Sequence, residues 1–141
     1  MIEINIAEAL PHSPPFILPE KVIACDQERC IHTQKTLKEG DYFLNGHFAS
    51  RPVFPGVMLI EAMAQSAGLL LYFLFKKRVM IYLAKVNNVR FKQIVEPPAV
   101  LDIKIELEKS RRAVWFFNGK VFVAEQEVAS AEFALALGDQ A

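Results

Sequence analysis

Residues 55–75 have the sequence PGVMLIEAMAQSAGLLLYFLF, and this stretch decides how the rest of the chain is arranged. Proline and glycine are common at helix starts, and the basic residues Lys76-Lys77-Arg78 follow where they complement the dipole of a helix ending there. The stretch therefore predicts a helix from about Val57 to about Phe75. Because apolar side chains occupy all of its faces, we expect the helix to be enclosed on every side.

The same stretch is about as long as a transmembrane segment, so a membrane span is the alternative interpretation. Glu61, Gln65 and Ser66 lie inside it and would be costly in lipid, which favours the central helix of a soluble fold. Residues 1–10 lack the basic segment of a signal peptide. The two cysteines, Cys25 and Cys30, form no disulfide framework and are expected to be buried free thiols. We therefore predict a cytoplasmic protein.

Strand patterns flank the predicted helix on both sides. From Leu101 to Glu108, aliphatic and charged residues alternate strictly, which is typical of a half-buried antiparallel strand. The other predicted strands are Lys21 to Asp26, Arg29 to Leu37, Val79 to Val86 (as a buried strand), Val114 to Ala124 and Val128 to Leu137. Residues 40–55 are predicted to be an ordered loop. One long helix among many strands predicts an α+β fold, with an antiparallel sheet wrapped around the helix.

Length and composition narrow the class of protein. The 141 residues fit a single domain spanning residues 1–141. Sixteen basic residues balance sixteen acidic ones, which argues against a protein whose whole surface binds nucleic acid. The apolar fraction of 52% is slightly high, and a small chain of this kind often covers apolar surface by forming oligomers.

Four residues near the helix start could perform acid–base chemistry. Glu61 lies in an apolar stretch, where a carboxyl group needs a partner or remains neutral, and a neutral carboxyl is a usable general acid. Gln65 is four residues later on the same helix face and could hold that carboxyl in place. His47, in the preceding loop, is a candidate base. The N–H of Gly56, at the start of the helix, could stabilise an enolate oxygen.

Each of these residues also has a purely structural interpretation when taken alone. His47 could be a structural histidine, Glu61 a satisfied or solvent-facing carboxylate, and Gly56 only part of a turn. Together they suit removal of a proton next to a thioester carbonyl with loss of a β-hydroxyl group. We find no sequence motif for a metal site, a phosphate loop or a nucleophile elbow, and no cofactor is predicted. Of the other histidines, His12 is expected to make a structural hydrogen bond and His32 to be exposed.

Several motifs, in order along nearly the whole chain, strongly resemble the 3-hydroxyacyl-[acyl-carrier-protein] dehydratases of FabZ type. The block from Gly46 to Gln65 is the most specific part of this resemblance. The motifs are Leu10-Pro11-His12, Asn45-Gly46-His47-Phe48, Pro52-Val53-Phe54-Pro55-Gly56-Val57, Glu61-Ala62-Met63-Ala64-Gln65, Arg90-Phe91-Lys92 and Arg111-Arg112.

The resemblance implies a hot-dog fold and a homodimer with shared active sites, with a trimer of dimers as a common larger assembly. It implies that His47 of one subunit acts with Glu61 of the other, and that the Gly56 N–H polarises the thioester carbonyl. The implied reaction is the reversible dehydration of a (3R)-3-hydroxyacyl group on acyl carrier protein to the trans-2-enoyl thioester. Glu61, rather than aspartate, favours the simple dehydratase over the related dehydratase-isomerases.

An acidic acyl carrier protein would need a basic surface on this chain. The candidates for this surface are Arg51, Lys76, Lys77, Lys92, Arg111 and Arg112, with Arg78 as a further one. The chain also departs from the usual pattern of the family at Ser13-Pro14, Ala49-Ser50, Gln93 and residues 96–98. None of these departures removes a proposed catalytic group, but they leave the acyl chain length open.

Two alternative functions use the same fold. A hot-dog thioesterase would hydrolyse the thioester, and a catalytically silent subunit would only bind acyl groups. The block from His47 to Glu61 fits dehydratases better than either alternative.

For Asn118-Gly119, a local sequence rule and the family resemblance predict different structures. Between apolar runs, Asn-Gly is a strong hairpin signal. The resemblance instead implies one strand from about Arg112 to Ala124, with the turn near Glu125-Gln126. We favour the single strand, because an internal glycine can mark a bend or a close backbone approach.

Overall fold

The computed structural model describes residues 1–138, which form one six-stranded antiparallel sheet and one long helix. In chain order the elements are helix α1 (Ile6–Ala9), strands β1 (Lys21–Cys25) and β2 (Cys30–Leu37), a 3-10 turn (Tyr42–Leu44), helix α2 (Gly56–Phe75), and strands β3 (Ile81–Phe91), β4 (Ala99–Arg111), β5 (Val114–Val123) and β6 (Gln126–Leu137). The predicted helix and strands are confirmed as elements, with different bounds for β3, while the short helix α1 and the 3-10 turn were not predicted.

The sheet has the strand order β1-β2-β4-β5-β6-β3 and curls around α2. Helix α2, which follows β2 in the chain, packs against the sheet and contacts strands β2, β3, β4, β5 and β6. This is the hot-dog fold, so the α+β prediction is confirmed.

Helix α2 is the centre of the core. Residues 62–71 are buried without a break, including the polar Gln65 and Ser66. The Ser66 hydroxyl hydrogen-bonds to the Thr33 hydroxyl of β2 at 2.7 Å and donates to the carbonyl of Ala62, so neither buried hydroxyl lacks a partner. By length and composition α2 could cross a membrane, but 61% of its most apolar window is buried inside the fold, as in a core helix.

Strand β3 corrects the sequence analysis. The strand predicted to be buried from Val79 to Val86 runs from Ile81 to Phe91 and forms one edge of the sheet. It exposes large apolar side chains: Tyr82 is 58% exposed and Phe91 51%. An apolar pattern shows that a strand face avoids water, but it cannot show whether this chain or a second one covers that face.

The prediction of one strand through Asn118-Gly119 is confirmed. Strand β5 runs through both residues, with Gly119 paired to Ile105, and the chain reverses at Ala124 and Glu125, which both have positive φ. A Cβ atom at Gly119 would lie 2.7 Å from the sulfur of Met63. The glycine is therefore needed for the close approach of sheet and helix, and not for a hairpin turn.

Three smaller predictions on side-chain burial also need correction. Cys25 is half-buried and Cys30 is exposed, because Cys30 points to the outer face of the sheet. His32 is not fully exposed: its Nε2 atom lies 2.7 Å from Oδ1 of Asp102 on β4, and it is partly buried there.

Candidate active site

Glu61 lies in the second turn of α2, and its side chain is 22% exposed. The amide nitrogen Nε2 of Gln65, one turn further on, donates a hydrogen bond of 2.8 Å to the Glu61 Oε2 atom. The prediction that the two side chains share a helix face is confirmed. The carboxyl group is thus held at the edge of the core, with part of it open to solvent or to a ligand.

Gln65 itself is completely buried and also ties the Pro-rich segment to the helix. Its Oε1 atom accepts a 2.8 Å hydrogen bond from the backbone N–H of Leu18, and its Nε2 atom donates a second bond, of 3.0 Å, to the carbonyl of Phe16. Every polar atom of the buried amide therefore has a partner. The same bonds hold the residues around Phe16 over Glu61.

His12 is a neighbour of Glu61 that the sequence analysis did not predict. Its Nε2 atom lies 3.7 Å from Oε2 of Glu61, and its ring stacks on Phe16 with centroids 5.9 Å apart. Its other nitrogen, Nδ1, is buried and has no hydrogen-bond partner among residues 1–138. The expected structural hydrogen bond is therefore wrong. The only sequence signal was membership of the motif Leu10-Pro11-His12, which says nothing about Glu61.

Burial and charge act on His12 in opposite directions. Burial disfavours the charged imidazolium and lowers the pKa of His12, while the nearby Glu61 carboxylate acts in the opposite, smaller sense. The ring therefore favours its neutral form.

His47 lies in the loop before α2, and its protonation pattern follows from one contact. Its Nδ1 atom is 2.8 Å from the carbonyl oxygen of Val53. A carbonyl can only accept, so a neutral His47 carries its proton on Nδ1 and has its lone pair on Nε2. The ring also stacks on Phe48, with centroids 4.3 Å apart. This arrangement leaves Nε2 as the nitrogen that can take up a proton.

Gly56 is the first residue of α2, and no side chain caps this end of the helix. A Cβ atom at this position would lie 3.1 Å from the ring of Phe91, so glycine permits close packing here. A cavity of about 320 Å³ lies beside Gly56, lined by Val53, Phe54, Leu59 and residues 91–95. The first N–H groups of the helix have no intrahelical acceptor and could bind an oxygen atom.

Within one chain these groups do not form a complete site. Among the described residues 1–138, Glu61 contacts Gln65 and His12, whereas His47 is bonded to Val53 and makes no ion pair or hydrogen bond with Glu61. No described group of three or more His, Cys, Asp or Glu residues could hold a metal ion.

The six predicted carrier-binding residues fall into two groups at opposite ends of α2. Arg51 and Lys92 lie near its start, and both are paired: Arg51 makes two 2.9 Å hydrogen bonds to Glu96, and Lys92 contacts Glu127. These pairs raise the pKa of Arg51 and lower the pKa of Glu96 and Glu127.

The second group lies at the far end of the helix, about 30 Å away by the rise per residue. Lys76 and Lys77 follow α2, Arg111 is the last residue of β4, and Arg112 lies in the turn before β5, whose Trp115 contacts Phe75. None of these four basic residues has an ion pair within residues 1–138.

Comparison with known proteins identifies the family. A model of the FabA-like domain matches residues 10–132. The 3-hydroxyacyl-[acyl-carrier-protein] dehydratase FabZ of Anaeromyxobacter dehalogenans is 37% identical over 97% of this chain and 90% of that protein. The FabZ protein of Campylobacter lari is 32% identical over 99% of this chain and 100% of that protein.

Solved structures share the fold at lower sequence identity. The dehydratase heterocomplex ApeI:P from Xenorhabdus doucetiae has a TM-score of 0.85 and 22% identity, over 98% of this chain and 93% of that one. A hypothetical thioesterase from Streptococcus pneumoniae, solved with coenzyme A, has a TM-score of 0.67 and 16% identity, over 85% of this chain and 86% of that one. These likenesses concern the fold alone. The family assignment rests on the sequence matches. The chain belongs to the FabA-like family and, within it, to the FabZ-type 3-hydroxyacyl-[acyl-carrier-protein] dehydratases.

Proposed function

We propose that this protein is an enzyme that reversibly dehydrates (3R)-3-hydroxyacyl groups on acyl carrier protein to trans-2-enoyl groups, in the biosynthesis of fatty acids or related lipids. Its relatives of more than 30% identity are named for this reaction. The observation that carries the proposal is a partly exposed carboxyl group, Glu61, held by Gln65 at the edge of an apolar core. The decisive assay follows water loss from 3-hydroxyacyl carrier-protein thioesters of graded chain length.

The proposed mechanism uses His47 as the base and Glu61 as the acid. Nε2 of His47 takes the proton from C2, and the electron pair moves toward the thioester oxygen, which the Gly56 N–H stabilises. Glu61 then protonates the hydroxyl group on C3 as the C3–O bond breaks, so that water leaves and the C2–C3 double bond forms. Returning the proton from His47 to Glu61 resets the site.

The site is completed by a second subunit. Within one chain His47 and Glu61 are not in contact, and the edge strand β3 exposes Tyr82, Leu83 and Phe91. Pairing of two β3 edges would bury these side chains and place His47 of the partner subunit near Glu61. We extend the proposal to a cytoplasmic enzyme that is a single domain over residues 1–141 and forms a homodimer, with a trimer of dimers as the larger candidate assembly.

The shared site makes mixed dimers active. Mixed dimers of the His47→Ala and Glu61→Gln proteins, each inactive alone, should have up to about half of wild-type activity, because one of the two sites in each mixed dimer is intact. An unseparated mixture, in which half the dimers are mixed, should have about a quarter. The measurement uses two affinity tags to isolate mixed dimers before the assay. A His47→Ala protein mixed with the double variant is the control and stays inactive. Isolated mixed dimers as inactive as their parents would contradict the shared site.

The carrier protein is proposed to bind the basic residues named above. Charge reversal as Lys76→Glu with Lys77→Glu, or as Arg111→Glu with Arg112→Glu, should raise KM for the carrier-protein substrate about tenfold at low salt, with kcat unchanged. Salt screens surface charges, so the difference should shrink at about 1 M salt. Charge reversal of Arg51 tests the ion-paired basic residues, Arg51 and Lys92, near the start of α2.

Two controls separate docking from catalysis in this experiment. A small pantetheine thioester lacks the acidic protein and should react at wild-type rates with every reversed variant. Lys104→Glu, on the outer face of the sheet, should leave both substrates unaffected. An unchanged KM in all the reversed pairs would remove these residues from the docking surface.

A further inference from the structure

Two side-chain nitrogen atoms face one oxygen of Glu61. Gln65 donates to Oε2 at 2.8 Å, and Nε2 of His12 faces the same oxygen at 3.7 Å. No hydrogen bond from residues 1–138 reaches Oε1. The two oxygens of this carboxyl group are therefore in different surroundings: Oε2 faces the protein, and Oε1 is available to a ligand.

Contacts of the neighbouring residues hold His12 in its position. Leu10, two residues earlier, is completely buried, and the ring of His12 stacks on Phe16. The Phe16 carbonyl is in turn bonded to Gln65, which also holds Glu61. The distance of 3.7 Å is longer than a hydrogen bond, but a ring movement of about 1 Å would close it.

The surroundings of the ring determine which nitrogen carries the proton. Nδ1 is buried and has no acceptor in the described part of the chain, so a proton there would be an unsatisfied buried donor. The proton is better placed on Nε2, which faces the carboxyl group. Burial lowers the pKa of His12, so the ring acts as a neutral donor. Glu61 is the charged group that acts on it within residues 1–138, and in the proposed dimer His47 of the partner subunit also faces this region.

We infer that His12 is a positioning residue for Glu61: as a neutral N–H donor it fixes Oε2, so that Oε1 carries the proton delivered to the C3 hydroxyl group. A cation at this place would hold the carboxyl group ionised and remove the general acid. A neutral donor orients the group without that effect. This inference rests on the proposed dehydration reaction.

The test compares three substitutions of His12 in the full-length enzyme. His12→Phe keeps a ring for Phe16 but removes the donor. It should lower kcat about tenfold, the effect of one hydrogen bond, with KM within twofold of wild type. The alkaline limb of its pH–rate profile should move to higher pH, because the ionised carboxylate has lost a donor. His12→Gln keeps a neutral N–H and should restore most of kcat and the position of the limb.

His12→Arg supplies a fixed cation and gives an independent readout. The alkaline limb should move to lower pH, opposite to the shift in His12→Phe, because the cation favours the ionised carboxylate. The inference is overturned if neither substitution moves the limb, or if His12→Gln is impaired as severely as His12→Phe. If the wild-type protein itself dehydrates no 3-hydroxyacyl thioester, the proposed function fails instead.

Discussion

His47→Ala and Glu61→Gln should each lower kcat by about a hundredfold or more, the usual scale for the loss of a general acid or base. His47 keeps its proton on Nδ1 through the bond to Val53, so alanine removes the lone pair of Nε2 that would accept the C2 proton. Glutamine at position 61 preserves the shape of the side chain and can still accept the bond from Gln65, but it cannot deliver a proton. Steady-state assays with a 3-hydroxyacyl carrier-protein substrate measure both effects.

Matched substitutions elsewhere show whether such losses belong to the site. His32→Ala removes a histidine that is bonded to Asp102 on the outer face of the sheet, and Glu106→Gln neutralises an exposed carboxylate of β4. Both should retain wild-type kcat. The thermal unfolding midpoints of all four variants should stay close to that of the wild type, because none removes buried apolar surface. Near-wild-type turnover in His47→Ala or Glu61→Gln would refute the assigned roles.

The parts of the site that sequence could predict are the local ones. The Pro-Gly start, the apolar stretch and the basic end of residues 55–78 predicted the helix, and the spacing of four residues placed Gln65 beside Glu61. Both follow from helix geometry, which depends only on positions along the chain. The strand through Gly119 was predicted by resemblance against the local hairpin rule, and the contact with Met63 gives its physical reason.

The parts that sequence could not predict are contacts between distant segments. His12 and Glu61 are 49 positions apart, and they meet because Gln65 bonds to Phe16 and Leu18. Nothing in the local pattern around His12 encodes that path. The pairing of Arg51 with Glu96 joins positions 45 apart, and it neutralises a residue that the sequence suggested as an available cation. Such contacts depend on how the whole chain folds.

Gly56 offers the second large effect, because its proposed role depends on a single hydrogen atom. Gly56→Pro removes the backbone N–H and should lower kcat by about a hundredfold to a thousandfold, the cost of losing one oxyanion donor. The fold should tolerate the change. Proline is favoured at the first position of a helix, where the N–H has no intrahelical acceptor. The preceding Pro55 has an extended backbone, with φ −60° and ψ 134°, which is compatible with a following proline.

Gly56→Ala is the matched control for this substitution. Both variants add a Cβ atom 3.1 Å from the Phe91 ring, but alanine keeps the N–H, whereas proline replaces its hydrogen with a ring carbon. The ratio of their kcat values therefore removes the effect of the added Cβ atom from the effect of losing the N–H. A crystal structure of the proline variant checks that α2 still begins at residue 56. Equal kcat values in the two variants, with the helix start undisturbed, would show that this N–H does not stabilise the enolate oxygen, and the donor would have to be sought at the next free N–H of the helix.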